Sequence, residues 1–209
     1  MTTLILGILL SASVIGLTFI IERGLALRGG RVIPPAVRAA LETCRNTEDL
    51  PMLRRICEEH PSPLSRLVLL AARNRQWSRA ENSSALETSA RLEISRLERG
   101  LVVLEIVVGV APLLGLVGTI FGLIMLFQGV GVSGLGEPSA VGDGIATALR
   151  ATLLGLLTAI PSLVAWSYYS KKVDQLAIEM AALCDNFLHQ LYHADESPDL
   201  TEEPARRVS

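Results

Sequence analysis

The sequence predicts an all-α membrane protein with three transmembrane helices and long cytoplasmic helical extensions. Half of its 209 residues are hydrophobic and only 19% are charged, a composition too apolar for an ordinary soluble domain. A helix needs roughly 20 apolar residues to cross a bilayer core about 30 Å thick. Three uncharged stretches of about that length are present, at 4–21, 106–127 and 151–169.

These stretches divide the chain into seven predicted segments. Their order is transmembrane helix 1 (1–22), a cytoplasmic helical segment (23–105), transmembrane helix 2 (106–127), a periplasmic loop (128–140), transmembrane helix 3 (141–170), a cytoplasmic helix (171–193) and a disordered tail (194–209). A cleaved signal peptide is the alternative for the first stretch, but Met1-Thr2-Thr3 lacks a basic residue and the stretch ends in Glu22-Arg23. We therefore expect a retained span.

The positions of lysine and arginine predict the orientation, because positive residues stay on the cytoplasmic side. They flank the three spans at Arg23, Arg28, Arg31, Arg96, Arg99, Lys171 and Lys172, whereas the 128–140 loop has none. Trp166, Tyr168 and Tyr169 precede the two lysines, as aromatic residues do at a membrane interface. We expect the N-terminus to be periplasmic and the C-terminus cytoplasmic.

Prolines predict where helices begin in the 23–105 segment, at Pro34-Pro35, near Pro51 and at Ser62-Pro63. The absence of Pro and Gly between Ser78 and Gly100 predicts a helix that continues unbroken into the second span. The apolar pattern after Tyr169 predicts that the third helix continues to about Tyr192.

Small residues form a stripe along each of the last two spans, at alternating steps of three and four. The second span carries Ala111, Gly115, Gly118 and Gly122, and the third carries Ala148, Thr152, Gly155, Ala159 and Ser162. Small residues let helix backbones approach each other in lipid. The stripes predict helix interfaces, either between the two spans or between copies of the chain. Ordinary membrane packing is sufficient to explain them.

Two threonines and two prolines stand out within these spans. Thr119 and Thr152 place hydroxyls inside the membrane, where a hydroxyl usually bonds a carbonyl one turn back; on facing stripes they would instead line a wet path for a proton or an ion. Pro112 and Pro161 remove backbone hydrogen bonds in mid-helix. They predict kinks, which serve either as simple bends or in gating.

Charged residues pose a separate question at the span ends. Arg150 either extends to the lipid headgroups or is buried with a carboxylate partner, depending on where the third span begins. Glu105, at the cytoplasmic mouth of the second span, poses the same question in mirror image.

The remaining polar residues match no arrangement for catalysis or for binding a metal. They include the histidines His60, His189 and His193 and the cysteines Cys44, Cys57 and Cys184. We expect no enzyme activity, no cofactor and no nucleic-acid partner.

The string APLLGLVGTIFG, followed by GIATALRATLLGLLTAIPS, resembles the paired signature of the ExbB/TolQ proteins of the ExbB/TolQ/MotA family. IIERGLALR after the first span and RLERGL before the second extend the resemblance over all but the acidic tail. It implies a homopentameric ring in a bacterial inner membrane that encloses an ExbD/TolR-like single-span partner. The proton-motive force then drives a TonB-like or TolA-like protein or another envelope machine.

The resemblance also implies roles for individual residues. Thr119 matches the GTxxG threonine and Thr152 the ATxxGL threonine, both of the ion path. Thr147 stands where ExbB and TolQ carry a glutamate within GIAEAL. The protonatable group is therefore expected to be an aspartate inside the membrane on the partner. A non-conducting scaffold remains the alternative, and a MotA-like flagellar stator fits less well because that branch has four spans.

Overall fold

The computed structural model describes the backbone of residues 2–44, 49–133 and 138–196, and the side chains of 5–44, 49–128, 141–142 and 144–192. Within these residues every regular element is a helix, and the predicted all-α fold class is confirmed. The helices are α1 (Thr2–Ala26), α2 (Gly29–Val32), α3 (Pro35–Thr43), α4 (Leu50–Glu59), α5 (Pro63–Arg73), α6 (Arg79–Glu98), α7 (Leu101–Ser133) and α8 (Pro138–Glu196). The tail predicted to be disordered, 194–209, lies outside the described residues from residue 197 onward.

The chain divides into two compact units. The spanning unit comprises Met1–Ala26 and Glu98–Lys171, and the polar unit comprises Leu27–Leu97 and Lys172–Ser209. Three helices are long and apolar enough to cross a membrane, as predicted. Helix α7 continues to Ser133 and α8 begins at Pro138. Only residues 134–137 therefore separate two helices between which a 13-residue loop was expected.

In the spanning unit, α1 packs against both α7 and α8. Ile5 and Leu9 form a buried apolar cluster with Val107, Ala111 and Ala159. Further along α1, a Cβ placed on Gly16 would lie 3.1 Å from Ser162 Oγ. Towards the C-terminal end of α1, the hydroxyl of Tyr169 donates a hydrogen bond of 2.9 Å to the carbonyl of Ile20. Small residues, apolar contacts and one hydroxyl thus hold α1 along its length.

Helices α7 and α8 approach each other most closely where their glycines meet. A Cβ placed on Gly155 would lie 2.6 Å from the carbonyl oxygen of Ala111 and 3.2 Å from Gly115 Cα. A Cβ on Gly115 would lie 3.0 Å from both Ala151 O and Thr152 Cα. The backbones themselves are therefore in contact, which is the packing that small residues permit inside a membrane.

The helix predicted to run unbroken from Ser78 into the second span is in fact interrupted. Helix α6 ends at Glu98 and α7 begins at Leu101, with a turn at Arg99 and Gly100 between them. The guanidinium of Arg23, from α1, occupies the space that a side chain at residue 100 would fill. Gly100 lies in the turn between the two helices and gives room to this arginine. The prediction of continuity was wrong because this contact is tertiary.

In the polar unit, the predicted helix starts are confirmed. Helix α3 begins at Pro35, and Pro51 lies in the first turn of α4. Ser62 caps α5, accepting a hydrogen bond of 3.1 Å from the backbone N–H of Ser65, and Pro63 takes the first helical position. Proline fits there because that N–H has no partner within the helix.

The core of the polar unit is built from α3, α4, α5, α6 and the last part of α8. Its fully buried side chains include Val37, Leu53, Leu64, Leu67 and Met180. Cys44, Cys57 and Cys184 are buried in the same core. Burial raises the pKa of the Cys57 thiol to about 11, so this cysteine stays protonated and unreactive at neutral pH.

One carboxylate is buried in the polar unit, on α6. Glu93 is 7% exposed and accepts hydrogen bonds from Arg66 Nε at 3.0 Å and from Arg96 Nη1 at 2.7 Å. Hydrogen bonding from Arg66 holds the pKa of Glu93 below its ordinary value. This ion cluster joins α5 to α6 across 27 residues of sequence.

We predict that Gly155→Ala destabilises the spanning unit by about 1–3 kcal/mol, because the new methyl group overlaps the Ala111 carbonyl oxygen. Gly109→Ala, in α7, is the matched control, since a Cβ there meets nothing within 4 Å. Thermal unfolding in detergent should show a lower Tm for the first variant alone. Equal Tm values for the two variants would contradict the close contact.

We predict that Glu93→Gln destabilises the protein by about 1–3 kcal/mol at neutral pH, because Arg66 and Arg96 lose their shared carboxylate. The exposed pair of Glu87 with Arg91 provides the control, and Glu87→Gln should cost less than about 0.5 kcal/mol.

The same substitution has a predictable pH dependence. The pKa of Glu93 is lower in the folded state than in the unfolded chain, where it is about 4.3. Its stabilising effect is therefore complete above that pH and is lost as the pH falls through the folded-state pKa. The Tm difference between the wild type and Glu93→Gln should shrink in acid. A constant difference would show that packing rather than charge is responsible.

Candidate functional site

The hydroxyl groups of Thr119 and Thr152 meet between α7 and α8, near the middle of the apolar stretch of α7 and at the start of that of α8. The two side chains are hydrogen bonded directly to each other. They come together because α7 and α8 are antiparallel and touch at Gly115 and Gly155, which lie about one turn from the threonines. The sequence left open whether the two stripes meet within one chain or between copies, and the structure brings both threonines together within one chain.

Both hydroxyls also lie within hydrogen-bonding distance of the backbone of these helices. Thr119 Oγ1 is 3.1 Å from the Gly115 carbonyl oxygen, one turn back on its own helix, and 3.4 Å from that of Ala148 on α8. Thr152 Oγ1 is 3.1 Å from the same Gly115 carbonyl oxygen, across the interface. One carbonyl oxygen is thus shared by two hydroxyls from different helices.

This arrangement has two equivalent patterns of hydrogen bonds, since each hydroxyl has one hydrogen and can also accept. In one pattern Thr152 donates to Gly115 O and accepts from Thr119. In the other, Thr119 donates to Gly115 O and accepts from Thr152. Rotation about the two C–O bonds interconverts them. In both patterns the two hydrogens are used within the cluster, so the pair offers acceptor lone pairs to a polar group beside it and can donate to that group only when one hydroxyl gives up its internal hydrogen bond.

The hydroxyl pair lies at the edge of the α7–α8 contact that faces away from α1. Ala111 and Leu114 belong to the cluster that α1 contacts, and a Cβ on Gly118 would lie 3.3 Å from Ile5. Thr119 is rotated about 100° from Gly118 around the helix axis, on the other side of the contact. Both threonines are partly exposed. In the single chain, the pair can be reached from that edge.

The small residues predicted to form an interface lie in this contact, except for Ala159 and Ser162, which lie against α1. A Cβ on Gly122 would lie 2.7 Å from Ala148 Cβ, and one on Gly118 would lie 2.6 Å from Ala151 Cβ. Ala159 is buried, and buried Ser162 donates a hydrogen bond of 2.9 Å to Thr158 O. The sequence argument missed Ala151, which is 1% exposed. Its spacing of three from Ala148 and four from Gly155 was the available signal.

The other predicted site residues lie elsewhere. Thr147 and Arg150 are both exposed on the outer side of α8, and Glu105 is exposed near the start of α7. Among residues whose side chains are described, neither Arg150 nor Glu105 has an ion pair. Pro112 is partly exposed and Pro161 is exposed, each within an unbroken helix. Among the residues whose side chains are described, none of these five is hydrogen bonded to Thr119 or Thr152.

Comparison with known proteins identifies a family. The profile described as the MotA/TolQ/ExbB proton channel family matches residues 53–182. This range contains α7, the hydroxyl pair, and α8 as far as residue 182.

Individual relatives agree with the profile. The Tol-Pal system protein TolQ of Pseudomonas aeruginosa is 30% identical over 92% of this chain and 90% of its own length. An ExbB-like biopolymer transport protein of Synechocystis is 32% identical over 81% of this chain and 69% of its own.

An ExbB homologue of Methanothermobacter thermautotrophicus is 33% identical over 68% of this chain, and the chain spans only half of that relative's length. The profile match covers well over half of the chain and the TolQ match nearly all of it. Together with the three apolar helices, these matches establish that this membrane protein belongs to the MotA/TolQ/ExbB proton channel family.

Proposed function

We propose that this chain is the proton-channel subunit of an ExbB/TolQ-like motor in a bacterial inner membrane, where it couples the proton-motive force to transport or envelope work. It acts as a homo-oligomeric ring, a pentamer by analogy with the family, around an ExbD/TolR-like single-span partner. The observation that carries the proposal is the pair of hydroxyls of Thr119 and Thr152, which share one carbonyl and lie at an open edge between two apolar helices.

A hydroxyl pair of this kind can hydrogen bond a carboxyl group that another protein places inside the membrane. A buried carboxylate is costly in hydrocarbon unless it is hydrogen bonded. The pair can accept a hydrogen bond from a carboxylic acid, and it can donate one to a carboxylate when one hydroxyl exchanges its bond to Gly115 O or to the other threonine for a bond to the carboxylate. The threonines would therefore lower the energetic cost of placing a carboxyl group in the membrane, whether it is ionised or protonated.

The chain itself supplies no such acid in the apolar stretches that carry the hydroxyl pair, and Asp143, in the predicted third span, lies nine residues before Thr152. Residues 106–127 and 151–169 contain no aspartate or glutamate, and the family's glutamate position is Thr147 here. The carboxyl group must then belong to another protein, and an aspartate on the partner's single span meets the requirement. Arg150, exposed on α8 near that position, would favour an anion nearby.

The charge distribution supports an orientation for this ring. Basic residues flank the ends of the apolar stretches that adjoin the polar unit, and none lies between residues 128 and 140. The polar unit is therefore assigned to the cytoplasm and the connection between α7 and α8 to the periplasm. A partner aspartate would be loaded from the periplasm and unloaded to the cytoplasm.

We predict that Thr152→Val lowers proton flux at least tenfold, because valine has the same shape but no hydroxyl to bond Gly115 O or Thr119. Flux is measured with a pH-sensitive dye in vesicles that contain the chain and its single-span partner. Thr158→Val is the control, since that hydroxyl bonds only Leu154 O on its own helix. Thr152→Ser should restore most of the flux.

Assembly must be intact for this test to count, and native mass spectrometry of each variant checks it. Unchanged flux in Thr152→Val would overturn the role of the hydroxyl pair. Absence of flux in the wild-type complex, with envelope work preserved, would favour the non-conducting scaffold.

We predict that Glu137→Cys reacts with a membrane-impermeant maleimide in intact spheroplasts, whereas Met52→Cys reacts only after permeabilisation. Met52 is 63% exposed on α4, so its protection would come from the membrane rather than from burial. The reverse labelling pattern would invert the orientation and, with it, the direction of proton entry.

A further inference from the structure

Helices α4 and α5 of the polar unit border a groove of about 640 Å³ that is rich in arginine. Arg54, Arg66, Arg73 and Arg75 line it, and Glu58 is the one acidic residue among its lining residues. The groove belongs to the polar unit, whereas the hydroxyl pair belongs to the spanning unit. The proposed proton path does not use the groove.

Two of these arginines already have partners. Arg54 pairs with Glu58 at 3.0 Å, and Arg66 pairs with Glu93. Arg73 and Arg75 are exposed, and neither has an ion pair among the residues that the structure describes. The end of the groove at the C-terminus of α5 therefore carries two positive charges without a counter-charge, which attract an anionic group.

The groove also has an apolar component. Leu50, Leu69 and Leu70 line it and are only partly buried. A ligand that matched the whole groove would combine carboxylates with at least one apolar side chain. An acidic peptide with a leucine has that chemistry.

The C-terminal end of α8 is fixed beside the arginine-rich end of the groove. The hydroxyl of Tyr192 donates a hydrogen bond of 3.0 Å to the carbonyl of Trp77, two residues after Arg75. The same hydroxyl accepts from Asn82 Nδ2 at 3.0 Å. Asn82 is fully buried and also donates to Ala71 O, on α5. These bonds place Tyr192, four residues before the end of α8, close to the segment that follows Arg75.

The sequence after α8 has the chemistry that the groove requires. Residues 197–203 read Ser-Pro-Asp-Leu-Thr-Glu-Glu, with Asp199, Glu202 and Glu203 around Leu200. Seven residues span up to about 23–25 Å when extended. Arg66 and Arg73 are seven residues apart on one helix, or about 10 Å. The segment is long enough to follow the groove from its arginine-rich end.

We propose that residues 197–203 dock in this groove of their own chain, with the three carboxylates on Arg73, Arg75 and the neighbouring guanidinium groups and with Leu200 against the leucines. The tether favours this occupant over a separate acidic peptide, because a short link gives an effective concentration in the millimolar range. Since the attraction is between exposed charges, salt weakens it.

The experiment uses the full-length chain in detergent with Leu200→Cys labelled by a bimane fluorophore, which tryptophan quenches on contact. Trp77 is 49% exposed and lies two residues from Arg75. Cys44, Cys57 and Cys184 are buried, and burial raises the pKa of the Cys44 and Cys57 thiols. The label should therefore react selectively at residue 200. Trp77→Phe should abolish the quenching.

The proposal expects at least a twofold loss of quenching in Arg73→Glu/Arg75→Glu and on raising the salt from 50 to 500 mM. Arg91→Glu, an exposed arginine of α6, is the matched control and should leave the quenching unchanged. Reversing the tail as well, with Asp199→Arg and Glu202→Arg, should restore it in Arg73→Glu/Arg75→Glu.

Quenching that is weak, or that is equal in all variants and salts, would reflect the tether alone and would overturn the proposal. A second measurement identifies the occupant, by oxidising the Leu69→Cys/Leu200→Cys variant. A disulfide within one chain supports docking as proposed. A covalent dimer would assign the groove to the tail of a second copy and would overturn docking on the same chain.

Discussion

The contact between the backbones of α7 and α8 is the constraint on which the spanning unit depends. At Gly155 there is no room for even one methyl group, because a Cβ would lie only 2.6 Å from the Ala111 carbonyl oxygen. This approach brings two hydroxyls and one carbonyl oxygen from different helices into a single cluster. With larger residues at Gly115 and Gly155, each threonine would bond only to its own helix, as Thr158 and Thr18 do.

The sequence was sufficient for features that depend on local pattern. Uninterrupted apolar length predicted the three spans, and the proline positions predicted the starts of α3, α4 and α5. Pattern alone did not decide whether the stripes meet within one chain or between copies, because either pairing gives the same spacing. In the structure they meet within the chain, which leaves the outer faces of α7 and α8, with Thr147 and Arg150, exposed.

Features that depend on distant residues were beyond the sequence argument. The end of α6 was missed because the reason for it, Arg23 against Gly100, joins residues 77 positions apart. Glu93 reads as one more surface charge on α6, yet it is buried between two arginines. Buried Asn82 ties α5 to the end of α8 through Tyr192, 110 residues away. In each case the partner, not the residue itself, gives the position its role.

The absence of an acid from the apolar spans bears on how a proton channel of this kind avoids leaking. A threonine hydroxyl can donate and accept hydrogen bonds but does not ionise near neutral pH. Thr119 and Thr152 can therefore stabilise a carboxyl group in either state without carrying a proton themselves. If the carboxyl group belongs to the partner helix, the isolated ring has no proton carrier in the stretches 106–127 and 151–169. Proton movement through the ring then requires the partner protein, which also performs the work. The partner's carboxyl side chain therefore couples proton flux to work.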